Sequence, residues 1–578
     1  MTVNLAYDQP APTIPPGLTE HSRKMERRLY RVTDNYYLAY GFGLGSTHMI
    51  VGEDGVIIID PLECVVKGRQ INREFRAITR LPVKAVIYTH SHIDHLLGVK
   101  AFVSKEEVAS GQCQVIAHET MLANLLFSGA AGLGNIGMAR SWYSFGNYLP
   151  RGPEGAVNDG IGPELSIKEV SLIPPTLTVQ DSLELEVAGV RMHIVWVPSE
   201  TDDEIAVWFP QAKVLCSAEV VQGECFPNLH TIRGTRYRDP RQWYKSLDRL
   251  RRFQAHHLAP SHGRPVSGQA EVSELLTAYR DAIQYVHNQT IRYMNLGYTP
   301  DELVQLVKLP PALAEHPWLG EYYGTVKHAV RQIYNGELGW FNGDPTTLDP
   351  IPERRAAARY VELMGGRDKV VAEAARVFEN QDYQWAAELA SQVIMADSED
   401  MEARQLKARA LRQLGYRATS TNWRNWYLTS ALELEGADLR PGEGLDRTDM
   451  VRAMPNGAKV EALGLHVNPA AAEGVHMTVG FLFSDTGESC ALELRHCVAE
   501  FHQPCPENAA VVLSMDSTVF ARIILRKLTF PQALQNREIQ VQGELAELAR
   551  FFSCFDAGPE APQVYLTIPS KRPLPPKG

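Results

Sequence analysis

The sequence has no apolar run approaching the roughly 20 residues needed to cross a bilayer, so a membrane-spanning helix is not expected. Cysteine is scarce. The eight cysteines among 578 residues include no Cys-x-x-Cys pair, and they read as scattered reduced thiols rather than a disulfide framework. No long basic run occurs and the formal charge is −11, which argues against nucleic acid as a partner. Met1 to Glu20 is polar and proline-rich, without the apolar core of a secretion signal. These absences predict a soluble, cytoplasmic protein; a mature chain left after signal removal is the weaker alternative. At 44% the apolar content is that of a globular protein, and the length suggests roughly three or four domains.

Residues 1–25 read as a loose arm, free to lie on a neighbour. From about 30 to 265 the pattern is α/β. Strand-like runs include Thr47–Val51, Gly55–Asp60, Ala85–Tyr88, Gln114–Ala117, Met192–Val197 and Lys213–Cys216, with a helical stretch over Lys67–Thr79. Ser128 to Pro175 is rich in glycine and proline, as lids and binding loops are. Residues 270–435 read as helix after helix, including two tetratricopeptide-like hairpins within Val370–Leu414. Two hairpins are too few to stand alone and are expected to pack on the rest of the chain or on a second subunit. A linker at 436–444 leads to a mixed region over 445–578.

The chemistry concentrates in Thr89-His90-Ser91-His92-Ile93-Asp94-His95, directly after the apolar run Val83–Tyr88. A strand ending there delivers its side chains to the rim of a sheet. His90 and His92 alternate and can face one centre, while Asp94 and His95 follow in the turn and can face a second. Such nitrogen and oxygen donors suit zinc-like ions, and two adjacent sites would make a two-metal hydrolase. These residues cannot fill two metal shells alone. Three later strand ends offer more: Glu200 after Trp196-Val197-Pro198-Ser199, Glu219 after Leu215-Cys216-Ser217-Ala218, and His262 in Leu258–Gly263. A buried carboxylate needs a partner, and a dication is the strongest available. Taken singly, Glu200 and Glu219 read equally well as exposed terminal charges, and His262 as a structural histidine. Asp60 is expected to brace a ligand histidine, and His118 to be structural.

These residues resemble the metallo-β-lactamase fold superfamily, and more closely its alkylsulfatase branch. That branch has a Thr-His-Ser-His-x-Asp-His core, a glutamate in a Pro/Gly-rich turn, a second glutamate after Cys-x-Ala, and Asn-Leu-x-Thr-x-Arg-Gly. The last reads here Asn228-Leu229-His230-Thr231-Ile232-Arg233-Gly234. Similar stretches include Leu149–Pro153, His287–Thr290, Tyr322–Thr325, Leu338–Gly343 and Trp423–Leu428, so the likeness covers most of residues 25–570. It implies a metallo-β-lactamase αββα sandwich over 26–269, an all-α dimerisation domain over 270–435 and an α+β domain like sterol carrier protein 2 over 445–578. It further implies two Zn2+ per chain: one held by His90, His92 and Glu200, the other by Asp94, His95 and His262. Glu219 and a water or hydroxide would bridge them, and Asn228 and Arg233 would bind the sulfate oxygens.

The expected activity is hydrolysis of alkyl sulfate esters to alcohol and inorganic sulfate by a homodimer. The rival on the same metals is hydrolysis of a phosphodiester, lactone or thioester. A non-enzymatic rival is a lipid-binding scaffold with a vestigial metal site. The sequence departs from the branch at Ser261–Gly268, where a His-His-Trp-Pro-x-Trp-Gly stretch is usual, at Val220-Val221-Gln222 after Glu219, which has no histidine where many members carry one, and at Leu96-Leu97-Gly98. These changes reshape the pocket and leave substrate and stereochemical course open. His328 reads either as proton donor to the leaving alcohol or as a helix-surface histidine. The segment Met121–Phe127 and the glycine-rich loop Gly129–Gly137 are expected to frame the alkyl chain.

Overall fold

The computed structural model describes residues 11–126, 133–440, 447–556 and 563–568. Two sheets stack face to face. The first has seven strands in chain order from Arg28–Arg31 to Leu177–Val179, antiparallel up to Val56–Ile59 and parallel from there on. The second has six strands, Ser182–Val187 through Val266–Ser267. Its one parallel pair is Val214–Ala218 with His257–Pro260.

The central strands of each sheet are buried on both faces, which is why they read as continuous apolar runs, whereas edge strands such as Ser182–Val187 alternate. Ile57, Ile59, Ala85 and Ile87 point inward onto Ile194, Val207, Val214 and Cys216 of the second sheet. Their alternating neighbours Val56, Ile58 and Val86 point outward onto Ile71 and Phe75 of the helix Val65–Ile78. On the other side Val195, Leu215 and Leu258 meet Trp243, Leu247 and Leu250 of the helix Pro240–Arg251, with Tyr279 and Ile283 of the helix Gln269–Met294. A period of two along each strand thus fills three apolar layers and gives the αββα sandwich.

Four consecutive helices, Arg367–Glu379, Tyr383–Ala396, Met401–Arg417 and Thr421–Glu435, pack in sequence around Val371, Leu389, Leu406 and Ala431. Beyond them lies a third sheet of five strands, with Met477–Phe483 at its centre and the helices Ser517–Ile524 and Leu545–Ser553 against it.

Three sequence expectations change. Residues 11–25 of the arm lie on their own chain: the helix Pro16–Arg23 buries Leu18 beside Val157, and His21 stacks on Tyr322 at 4.0 Å between centroids. Part of the glycine-rich loop is a helix, Gly134–Ser144. Met121, Leu125 and Leu126 pack into the core outside the first sheet instead of framing a ligand, while Phe127 and Gly129–Gly132 lie outside the described residues. Among the described residues, no helix is long and apolar enough to cross a membrane.

Candidate metal centre and anion pocket

Every expected ligand follows the carboxyl end of a strand, the rim where open α/β sheets place their sites. His90 to His95 follow Val83–Ile87, Glu200 follows Val190–Trp196, Glu219 follows Val214–Ala218 and His262 follows His257–Pro260. Asp60 follows Val56–Ile59 and ties this rim together. Its carboxylate accepts from Thr89 N at 2.9 Å, Thr89 Oγ1 at 2.9 Å, Ser261 Oγ at 2.8 Å and His95 Nδ1 at 3.0 Å. Asp60 holds this position at φ 54° and Ala218, just before Glu219, at φ 52°. Left-handed backbone at non-glycine residues costs about 1–3 kcal/mol and persists where surroundings enforce it, as they do at functional sites.

The donors converge on Glu219. Its Oε1 lies 2.5 Å from His262 Nε2, 2.7 Å from His95 Nε2 and 3.8 Å from His90 Nε2. Asp94 Oδ2 lies 3.2 Å from His95 Nε2 and 3.5 Å from His262 Nε2. His90 Nε2 and His92 Nδ1 face each other at 3.0 Å, and His92 Nδ1 is 3.5 Å from Glu200 Oε1. Two groups result, Asp94 with His95, His262 and Glu219, and His90 with His92 and Glu219; Glu219 belongs to both.

The far nitrogens of the rings are already engaged. His95 Nδ1 donates to Asp60, His262 Nδ1 donates to the Leu44 carbonyl at 2.8 Å, and His90 Nδ1 sits 3.0 Å from Thr89 Oγ1. Anchoring one nitrogen this way frees the other as a metal donor, the usual device behind metal-binding histidines. Burial presses His90 down to about 4 and His92 well below the imidazole range. Burial also opposes charge on His95 and His262. There the carboxylates of Asp94 and Asp60, and of Glu219, outweigh it and raise both rings. Two uncharged ring nitrogens face to face beside three buried carboxylates is a donor set that fits two borderline dications.

Glu204 and Arg238, which the sequence reading did not single out, and Gln222, noted there only within a departure from the branch, hold this set in place. Glu204, pushed up to about 8 by burial, accepts from Glu219 N at 2.5 Å, Glu200 N at 3.1 Å and Ser199 Oγ. Gln222 donates to Glu219 Oε2 at 3.0 Å and to Glu200 Oε2. Arg238 donates to Glu200 Oε1 and, at 2.7 Å, to the Asn228 carbonyl. A signal for Glu204 existed in the acidic run Asp202-Asp203-Glu204 ahead of the apolar strand Ile205–Phe209. Arg238 carried none.

Beside the cluster lies the turn Asn228–Gly234. Arg233 brings a guanidinium to 3.4 Å from His92 Nε2, and burial depresses its pKa. Arg233 Nε and Asn228 Nδ2 are buried donors without a partner among the described residues. Unpaired buried donors are costly, and an anion would satisfy both. Arg140 of the helix Gly134–Ser144 fixes the turn by donating to the carbonyls of Arg233 (2.7 Å) and Ile232. His328 stands 3.2 Å from Asn228 Oδ1. His118 is bonded to Thr120 Oγ1 at 2.8 Å and the Gln180 carbonyl at 3.0 Å, as expected of a structural histidine.

An αββα sandwich with buried histidines and carboxylates gathered at one rim defines a metallo-β-lactamase-fold protein with a candidate metal site. Family models match in three stretches: the metallo-beta-lactamase superfamily over 40–262, alkyl sulfatase dimerisation over 299–437 and the alkyl sulfatase C-terminal domain over 445–561. The chain is 44% identical over 519 residues to a linear primary-alkylsulfatase of a Pseudomonas strain, spanning 88% of this chain and 98% of that one. It is 32% identical to the alkyl/aryl-sulfatase BDS1 of Saccharomyces cerevisiae, spanning 96% and 86%. The solved structure of the stereoselective inverting sec-alkylsulfatase Pisa1 from Pseudomonas superposes with a TM-score of 0.91 at 28% identity, covering 97% of this chain and 90% of that one. The chain belongs to the alkylsulfatase family of the metallo-β-lactamase superfamily.

Proposed function

We propose that this protein is a zinc-dependent alkyl sulfatase that hydrolyses linear primary alkyl sulfate esters to alcohol and inorganic sulfate. The observation that carries this reading is the pairing of a shared metal-type cluster around Glu219 with two unpartnered donors, Asn228 Nδ2 and Arg233 Nε, beside it. His90, His92 and Glu200 would hold one zinc, Asp94, His95 and His262 the other, with Glu219 common to both. Bound there, the pair supplies an acidified water and positive charge against what develops on the ester. Arg233 and Asn228 bind and orient the sulfate: a monoester spreads one negative charge over three oxygens, which a guanidinium fork and an amide can match. Arg140 keeps the turn that carries them in place.

The test is sulfate release from dodecyl sulfate, a secondary alkyl sulfate and a phosphodiester, run in water labelled with heavy oxygen. Sulfate release from the primary ester is expected, and label in the alcohol would place attack at carbon. Label in the sulfate instead would place attack at sulfur, and cleavage of the phosphodiester alone would overturn the assignment.

The catalytic unit is assigned to 26–269, with the helical part over 270–435, the linker at 436–444 and the C-terminal part over 445–578. That last part, like sterol carrier protein 2, is proposed to offer an apolar surface to alkyl chains. The helical part is proposed to dimerise. Within 338–364, Trp340 is 68% exposed and Leu363 84%, with Leu338, Leu348 and Tyr360 also uncovered. So much apolar surface in one segment marks an interface. Replacing Trp340 and Leu363 together by aspartate is expected to convert a dimer to a monomer in analytical ultracentrifugation; an unchanged mass would move the interface elsewhere. Among the described residues all eight cysteines are free, which suits a cytoplasmic setting.

A further inference from the structure

His328 joins the two halves of the chain. It lies in the first turn of the helix Val326–Leu338, buried, with Trp423 of the helix Thr421–Glu435 on one side and Asn228 on the other. Trp423 Nε1 is 2.9 Å from His328 Nδ1. An indole N–H can only donate, so Nδ1 accepts, and the single proton of a neutral ring sits on Nε2. From there it reaches Asn228 Oδ1 at 3.2 Å. The Thr325 amide also approaches Nε2, from 3.2 Å, and so shares that side of the ring with its proton; the shorter Trp423 contact fixes the tautomer. An imidazolium would add a second opposition of N–H against N–H, at Trp423. Burial first, then His230 and Arg238, push the ring the same way, to about 3.

Asn228 is also held at both of its backbone polar atoms. Its backbone N–H donates to Gln222 Oε1 at 2.7 Å, and its carbonyl accepts from Arg238 at 2.7 Å. Because the ring proton faces it, the amide oxygen must be the atom that meets His328. This leaves Nδ2 buried and unpartnered among the described residues.

We propose that His328 is a positioning residue: relayed from Trp423, its one ring proton locks the Asn228 amide with Nδ2 turned toward the sulfate of the substrate. The helical half of the chain thereby sets the anion pocket of the catalytic half. This rests on the sulfatase reading above and assigns His328 a duty other than the proton donation expected from sequence. A neutral ring whose proton is engaged with Asn228 has none to give a leaving alcohol.

The experiment measures inorganic sulfate binding by calorimetry, with kcat and KM for dodecyl sulfate, on the zinc-loaded protein. His328→Ala is expected to weaken sulfate binding about tenfold, the scale of one lost hydrogen bond to an anion site, and to raise KM in parallel. His328→Gln, whose amide can still donate to Asn228, is expected to stay within about threefold and to keep the basic limb of the pH–rate profile. In an Asn228→Ala background, His328→Ala is expected to cost nothing further, since the pair acts as one unit.

The proposal is overturned if His328→Ala leaves sulfate affinity and KM unchanged while kcat collapses. It is equally overturned if the losses of His328→Ala and Asn228→Ala multiply, or if the basic limb vanishes in His328→Gln. Should His328→Ala fail to fold, Trp423→Phe, which removes the indole N–H and keeps an aromatic ring, makes the same comparison. A fall in sulfate affinity supports the relay and none refutes it. A wild-type protein that binds sulfate with this pattern yet cleaves no sulfate ester would sink the sulfatase reading and leave the positioning role standing.

Discussion

Replacing Glu219 by glutamine is expected to lower kcat by about 10^3-fold or more and to leave the purified protein with less than its full metal complement. The size of the effect follows from where the carboxylate stands. It approaches three histidines from both donor groups, at 2.5, 2.7 and 3.8 Å, and among the described residues no other belongs to both. Burial alone would raise its pKa, but His262 and His95 hold it well below the ordinary carboxylate range, so the glutamate is charged. An amide keeps the shape and removes the charge that two neighbouring dications need between them. Metal analysis of the variant beside a turnover assay decides the matter. Full metal content with near-normal kcat would show that Glu219 is not the shared ligand.

The second large effect is expected at Arg233. Arg233→Ala should reduce kcat/KM for an alkyl sulfate by about 10^2–10^3-fold, the range for a buried charged donor aimed at a reacting anion. Arg233→Lys should recover only part of it, because an ammonium is a point charge without the planar fork. Metal content should stay that of the wild type, since 3.4 Å from His92 Nε2 the guanidinium stands beside the cluster rather than within it. A loss of metal instead, with sulfate affinity intact, would make Arg233 a brace for His92 and remove it from the anion pocket.

The histidine cluster was legible in the sequence because it is local. One strand end supplies His90, His92, Asp94 and His95 within six residues. Glu200, Glu219 and His262 were legible as strand ends, yet nothing in a strand end says which sheet it belongs to. Their convergence depends on the stacking of two sheets and on the parallel pair Val214–Ala218 with His257–Pro260. The short strands Arg28–Arg31, Leu177–Val179 and Ile205–Phe209 escaped notice for want of length or turn signals. The helix Gly134–Ser144 was hidden by its own glycines, which argue against helix on propensity and are overridden by packing on the helix Thr421–Glu435. Arg238 was invisible, and Glu204 and Gln222 showed only as part of an acidic run and of a departure from the family, because their work is done through the ligands they hold. Motifs quoted only as family likeness, such as Tyr322–Thr325 and Trp423–Leu428, prove to be the seam between the halves. Ser420 Oγ and Asn422 Nδ2 bond to the Tyr323 carbonyl, Thr421 N to that of Tyr322, and Trp423 to His328.

Arg424 extends that seam to the start of the chain. Its buried guanidinium donates to the carbonyls of Thr13, Pro153 and Gly155, so one side chain staples the amino-terminal arm, a catalytic-domain loop and the helical domain. Grafting foreign helices onto the sandwich would therefore leave three carbonyls, from two separate stretches of chain, without their shared donor.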